Sequence, residues 1–469
     1  MPRISLRKRT VAICGPGSII ATLLLFCLGY GAPPEPPKHP SRKLGGAESS
    51  HLSADHTLFG PFAEQENPGS PVPIDRKLAR PRVLHEIERL GVDRWHDAGY
   101  RGRGVKVAVL DSGFRGYHAF LGKELPSKIA ARAFRSDGDL EARNSQHGII
   151  CAEVIHRLAP DAEIIFASWD PERPDEFLDA VRWARRMGAK VLSCSLIMPS
   201  WSNGEGGGEI HAALSSILGK ESEHESALCF ASAGNIAQRH WCGIYREGPD
   251  GFHEWENGRS TNVLTPWGTD HVSAELYWSN DADYELTVLD HVSLNVIGRS
   301  APLRGVDRCA AVVGFDPSPG HTYSVRVRRL AGAAGRFHLA SLCSNLGYSK
   351  STGSIAFPAD GPEVIAVGAV DDEGRREDYS SCGPNSMQPK PDLVAPVPFV
   401  TALRSRPFSG TSAAAPQAAA LAALWWSRHP DWSAARVHTS ILGSAHDLGP
   451  RGHDWQTGYG RIQLPWDEK

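Results

Sequence analysis

The sequence predicts a doubly wound α/β protein whose mainly parallel sheet is interrupted by an inserted antiparallel β-sandwich. Three observations carry that prediction. Apolar, β-branched runs alternate with helix-like segments between residues 105 and 235, the texture of a parallel sheet covered on both faces. Residues 271–330 change style, with short strands of alternating polarity divided by Gly, Pro, Asn and Asp and no helix of useful length between them. The first texture then returns in PEVIAVGAV (362–370) and KPDLVAPV (390–397).

Taken in order, residues 1–31 read as a signal peptide or a membrane anchor. Arg3, Arg7, Lys8 and Arg9 form a basic start, Ile19–Leu28 an apolar core, and Gly29-Tyr30-Gly31 offers small residues for cleavage. The apolar run is shorter than the roughly 20 residues a spanning helix needs, so the expectation is export, to the cell envelope or beyond. Residues 32–75 are rich in Pro, Gly, Ser and charge without a period, and read as a flexible linker. Helical patterning begins near VLHEIERLGVDRWHDAGY (83–100), inside the first α/β part assigned to 76–242.

Strands are expected at VKVAVLD (105–111), AEIIFASWD (162–170), AKVLSCSL (189–196) and SALCFASAGN (226–235), with helices at 175–188 and 209–220 between them. The insert is placed at 243–345 and the second α/β part at 346–469.

Composition narrows the function. The 469 residues are 41% hydrophobic and 22% charged with a formal net charge of −3, which gives no electrostatic reason to bind nucleic acid. Of nine cysteines, Cys14 and Cys27 lie in the leader, and seven remain, an odd number. Cys309 and Cys343 lie near the later strands of the insert, where a disulfide would staple the module in an oxidising compartment. Cys151, Cys194 and Cys229 fall in apolar segments and are expected to be buried thiols. No CxxC pair or His/Cys cluster marks a zinc site, so no metal ligand is assigned.

One segment raises a chemical question. FSGTSAAAPQAAALAALWW (408–426) carries no charge, and Gln417 is one of its few polar side chains, so this helix is expected to be buried on every side. Ser412 then stands at the N-terminus of a buried helix. A serine that only caps a core helix is one reading. The other is a nucleophile at the positive end of a helix dipole, beside an amide that faces a developing oxyanion.

Partners for that chemistry occur upstream. Asp111 ends the buried run VAVLD, at the carboxyl edge where open α/β sheets place their sites, though Asp before Ser112-Gly113 is also an ordinary turn residue. His147 opens an apolar helical segment and is followed by Gly148. Asn235 ends the strand LCFASAGN, where an amide would donate to an oxyanion or merely close a turn.

In the order Asp111, His147, Asn235, Ser412, the blocks VAVLDSG, HG, ASAGN and GTSAAAP resemble the subtilisin-like serine proteases, the subtilases. VLSCSL, VIAVGAV, KPDLVAP and TGYGRI (457–462) add to the resemblance, which covers nearly all of 83–242 and 346–465. It implies that Ser412 attacks the scissile carbonyl, His147 is general base, Asp111 orients the imidazole, and Asn235 joins the Ser412 amide in an oxyanion hole. It further implies that Ser195 and Leu196 pair with an extended polypeptide substrate, while Ser232, Ala233 and Gly234 line the first specificity pocket.

No cofactor is required for such chemistry. A structural calcium ion is compatible with the family, but its ligands are not identifiable from the sequence. A monomer is expected, with a protein or glycan as the conceivable ligand of the insert. The chain departs from the family at HGIICAE, where Ile149 lacks a hydroxyl and Glu153 replaces a small glycine. Leu196-Ile197-Met198 stands where a glycine pair is common, which bears on specificity more than on chemistry. The segment before residue 76 does not resemble a folded pro-domain. Two functional classes follow: an exported endopeptidase working through an acyl-enzyme, or a binding protein on the same fold with the sandwich as its recognition module.

Overall fold

The computed structural model describes residues 86–141, 145–219, 226–256, 258–279 and 281–465. The expected leader (1–31), linker (32–75) and first residues of the α/β part lie outside the described residues.

A short helix α1 (Val92–Asp97) precedes a seven-stranded sheet. Its strands are β1 (Lys106–Asp111), β2 (Ala130–Ala133), β3 (Glu163–Ser168), β4 (Val191–Cys194), β5 (Leu228–Ser232), β16 (Val364–Val370) and β17 (Leu393–Pro396). They lie in the order β17-β16-β5-β4-β1-β3-β2, and every pair is parallel. The expected α/β class is therefore borne out. The sequence reading missed β2: AARA is an edge strand with alternating exposure and no apolar run to announce it.

Helices cover both faces. On one side α2 (His147–Leu158) and α5 (Thr411–Arg428) pack with Val107, Val109, Phe166 and Phe230. On the other α3 (Pro174–Arg186) and α4 (Glu209–Leu218) enclose Leu110, Ile165, Leu192 and Phe357. Every residue from Thr411 to Trp426 is buried, as its uncharged sequence requires. Alanines at 413–415, 418–420, 422 and 423 let that helix approach α2 and the sheet closely. A final helix α6 (Ala434–Ser444) is capped by Ser433, whose hydroxyl accepts from the Arg436 amide.

Between β5 and β16 the chain builds two five-stranded antiparallel sheets. One runs β10 (Val296–Ser300), β9 (Asp283–Asp290), β13 (Tyr323–Ala331), β7 (Asn262–Pro266), β15 (Ser344–Leu346). The other runs β11 (Leu303–Gly305), β12 (Arg308–Phe315), β8 (Val272–Trp278), β14 (Arg336–Leu342), β6 (His240–Ile244). Their facing sides share a core of Trp241, Trp278, Tyr284, Val325 and Phe337.

The second sheet is buried on both faces. Tyr277, Ala310 and Ala340 turn away from the sandwich core and pack on Ile236 and Ala356 of the α/β body. This explains why β8 is buried at all seven positions although its sequence, VSAELYW, alternates between apolar and polar residues.

The expected Cys309–Cys343 disulfide is not formed: all seven described cysteines are free thiols. Register gives the reason. Cys309 pairs with Trp278 at one end of β8, and Leu342, next to Cys343, pairs with Ser273 at the other. Five strand positions separate them, about 17 Å, far beyond the reach of a disulfide. Cys151, Cys194 and Cys229 are buried thiols, as expected.

Candidate active site

β1 is flanked by β3 on one side and β4 on the other, so strand order reverses there, and polar residues gather at the carboxyl ends. Asp111 is the last residue of β1 and is fully buried. Its Oδ1 accepts from the amides of Ser112 (2.9 Å) and Gly113 (3.4 Å). Its Oδ2 accepts from Nδ1 of His147 at 2.7 Å. A carboxylate can only accept here, so Nδ1 carries the proton and Nε2 is left as the basic nitrogen. Burial opposes charging of the His147 ring, but the adjacent Asp111 carboxylate and Cys151 together hold its pKa well above the ordinary imidazole value.

The His-Gly pair has a steric basis. A Cβ on Gly148 would lie 2.5 Å from the Phe114 ring and 2.9 Å from Cβ of Asp111. Only glycine lets the first turn of α2 close onto the end of β1 and bring His147 within hydrogen-bond reach of Asp111. The Phe408 ring meets the imidazole edge-on at 5.8 Å.

Ser412 is the second residue of α5. Its hydroxyl donates to the Ser195 carbonyl at 3.1 Å. Pro416, four residues on, has no N–H to give the Ser412 carbonyl. That carbonyl instead accepts from Ser195 Oγ (3.2 Å) and Cys151 Sγ (3.7 Å). The proline that closes the alanine run thus frees the serine's carbonyl to tie the helix to the loop after β4 and to α2.

Asn235 follows β5. Its Oδ1 accepts from both the amide (3.0 Å) and the hydroxyl (2.9 Å) of Thr411. With the oxygen so engaged, the Nδ2 donor is turned away from Thr411. The Asn235 carbonyl accepts from the Arg239 guanidinium. Ser195 is buried and Leu196 partly exposed beside Ser412. Ser232, Ala233 and Gly234 are buried behind Asn235, with the Gly234 amide donating to Thr411 Oγ1 at 3.2 Å.

Three neighbours were not singled out as site residues from the sequence. Cys151, read only as a core thiol, lies one helical turn after His147 with Sγ 4.0 Å from Nδ1, and the i,i+4 spacing was the available signal. Thr411 was visible only as part of GTS. Phe408 comes close through a loop, which leaves no periodic trace.

Glu153, the departure from the family's glycine, is buried and organises that loop. It accepts from the amides of Ala402 (2.5 Å) and Leu403 (3.2 Å) and pairs with Arg157 at 2.7 Å. Arg157 also donates to the Val400 carbonyl at 2.9 Å. Burial raises the Glu153 pKa in spite of these partners.

A parallel sheet with an Asp–His pair at one central strand and a serine at the start of a buried helix defines a class of doubly wound α/β protein. The chain belongs to the subtilase family: the profile described as "Subtilase family" matches residues 102–271 and 314–460, more than half of it. The gap between those segments falls within the inserted strands.

The chain is 36% identical over 113 residues to Subtilisin E of Bacillus subtilis (24% of this chain, 29% of that protein). It is likewise 36% identical over 113 residues to a subtilisin of Bacillus pumilus (24% of this chain, 40% of that protein). These alignments span well under two thirds of the curated relatives. The fold is similar to that of the Clostridium perfringens CspB protease, with a TM-score of 0.58 at 15% identity, covering 81% of this chain and 97% of that one.

Proposed function

We propose that the protein is a serine endopeptidase that hydrolyses peptide bonds through an acyl-enzyme. The observation that carries this reading is the 2.7 Å contact between Asp111 and His147, which makes Nε2 the basic nitrogen of the pair. Ser412 Oγ attacks the substrate carbonyl carbon while its proton passes to Nε2. The tetrahedral oxygen takes up negative charge and is met by Nδ2 of Asn235 and the Ser412 amide at the α5 N-terminus. Nε2 then returns the proton to the leaving amine. Water repeats the cycle on the acyl-enzyme and restores Ser412. Asp111 stabilises the imidazolium throughout and is not itself protonated.

A polypeptide strand lies along Ser195 and Leu196, and its side chain enters a pocket bounded by Ser232, Ala233 and Gly234. Such pairing supplies affinity through the main chain and leaves selection to pockets. The leader suggests that the enzyme works outside the cytoplasm. Among the described residues no helix is long and apolar enough to cross a membrane.

The test is casein hydrolysis by wild type and Ser412→Ala. The proposal requires cleavage by the first and near-complete loss in the second; equal rates would remove it.

A further inference from the structure

The outer face of the insert carries a buried polar cluster that the peptidase reading does not use. Side chains along β6 alternate between faces. Trp241 enters the sandwich core, so His240 and Cys242 turn the other way, toward the α/β body. β14 pairs with β6 in a register that sets His338 directly opposite Cys242. Phe337 and Leu339 join the sandwich core, so His338 shares the outer face with the other two. The pairing therefore forces two imidazoles and a thiol together. His240, Cys242 and His338 are 0%, 6% and 1% exposed, and one donor atom from each lies within 4.8 Å of the others.

Hydrogen bonds within the protein engage most of this cluster but leave one ring nitrogen over. Nδ1 of His240 faces the Lys350 carbonyl at 3.0 Å, which fixes the proton on Nδ1 and leaves Nε2 with a lone pair. A metal-binding imidazole is typically held in this way through its other nitrogen. His240 Nε2 stands 3.1 Å from Nδ1 of His338. Two nitrogens bound to one small ion would be about 3.4 Å apart, a difference that a slight ring movement closes. Nε2 of His338 is buried without a hydrogen-bond partner. An ion on Nδ1 would place this ring's proton on Nε2, on the side of the Gly353 backbone acceptor.

We propose that His240, Cys242 and His338 form a buried site for one thiophilic d10 cation, and that the ion is Cu⁺ in preference to Zn²⁺. The choice rests on number and charge. Among the described residues these three are the donor side chains that converge here. The backbone closes in around them: a Cβ on Gly204 would lie 2.4 Å from the His338 ring, and one on Gly353 would lie 3.3 Å from Cys242 Sγ. Structural zinc takes four ligands almost without exception, whereas thiolate and imidazole together also suit copper(I). One Cu⁺ with one thiolate and two neutral imidazoles has no net charge. A Zn²⁺ complex would bury a net positive charge close to Lys350, whose ammonium donates to the Cys242 carbonyl at 3.1 Å. On binding, Cys242 gives up the proton it now shares with the Thr352 carbonyl (3.2 Å), and that proton leaves to solvent. The ion would then tie β6 to β14 where their sheet rests on the catalytic body.

The test uses untagged full-length protein loaded anaerobically with Cu⁺ under ascorbate, or separately with Zn²⁺, then desalted. The site predicts one copper retained per chain, with one sulfur and two nitrogen neighbours by X-ray absorption. Cys242→Ser and His338→Gln should each lose the ion while keeping the wild-type far-ultraviolet circular dichroism. No retained metal in the wild type, or copper still held by a folded Cys242→Ser, would overturn the site. Zinc held in that shell with copper rejected would overturn the choice of ion. Should the variants not fold, the wild-type absorption spectrum decides alone, because a shell without sulfur contradicts the proposal.

Discussion

At the scale of single residues, Asp111, His147, Ser412 and Asn235 were each legible only as pairs of alternatives. Asp at a strand end, Asn at a strand end and Ser before a helix are all ordinary turn and cap residues. Their order in the chain favours the chemical reading, and the structure adds the Asp111–His147 and Asn235–Thr411 contacts that order could not supply. The consequences are specific. Ser412→Ala and His147→Ala should each lower peptidase kcat by about 10⁶-fold, the size known for the corresponding residues of subtilisin itself, because the two act as one unit. Asn235→Ala should cost about 10²–10³-fold, again the range of subtilisin's own oxyanion asparagine. Stopped-flow or discontinuous assays with a chromogenic peptide read both. His147 must be neutral to accept a proton, and Asp111 holds its pKa high. Activity should therefore fall as pH drops through that raised value, and in Asp111→Asn the residual activity should lose its acid limb at lower pH. The same pairing favours the protonated ring in the folded state. Its contribution to stability is thus full below the ordinary imidazole pKa and disappears as pH rises through the folded one.

At the scale of elements, the expected strands ending at Asp111 and near Ser232 and the buried helix after Gly410 all stand where apolar runs placed them. Periodicity reads such elements because a buried strand or helix leaves its pattern in every residue. It does not read β2, with one buried-side neighbour, or the loop from Val400 to Phe408, which is held by contacts distant in sequence. Glu153 shows why. From sequence it is a departure at a glycine position; in the fold its carboxylate gathers two loop amides and Arg157. Glu153→Ala removes the carboxylate paired with Arg157 and leaves two amides without this acceptor. It should cost about 3–5 kcal/mol, read as a lowered urea midpoint. A midpoint within error of wild type would show that water replaces the carboxylate without loss.

At the scale of the whole molecule, the insert is joined to both walls of the site. β6 begins soon after Asn235, and residues 200–209, which follow the Ser195–Ile197 segment, meet the insert repeatedly. The Ser200 amide donates to Glu275 at 2.9 Å, Arg308 donates to the Ser200 carbonyl, and the Val306 amide donates to Glu209 at 3.0 Å. We propose from this that the module tunes substrate access without supplying chemistry. Arg308→Ala should change KM for whole proteins and leave hydrolysis of a small peptide ester near wild type. Equal effects on both substrates would make the contact merely structural. Replacing 243–345 by a linker is a harsher change than its length suggests, since it strips the cover from Ile236 and Ala356. Sequence could not show this, because the alternation of β8, with Ser273, Glu275 and Tyr277 on one face, reads as a strand with a solvent face. Nor could spacing show that Cys309 and Cys343 stand at opposite ends of β8. Mass mapping of alkylated protein should find the seven described cysteines fully labelled without prior reduction once the chain is denatured.

The central claim is that Ser412 is a nucleophile activated by His147. A fluorophosphonate probe forms a covalent ester only with such a serine, and digestion followed by mass spectrometry locates it. The account predicts a single adduct on Ser412 in the wild type and its loss in His147→Ala. An unlabelled Ser412 in folded wild-type protein, or labelling undiminished in His147→Ala, would contradict it.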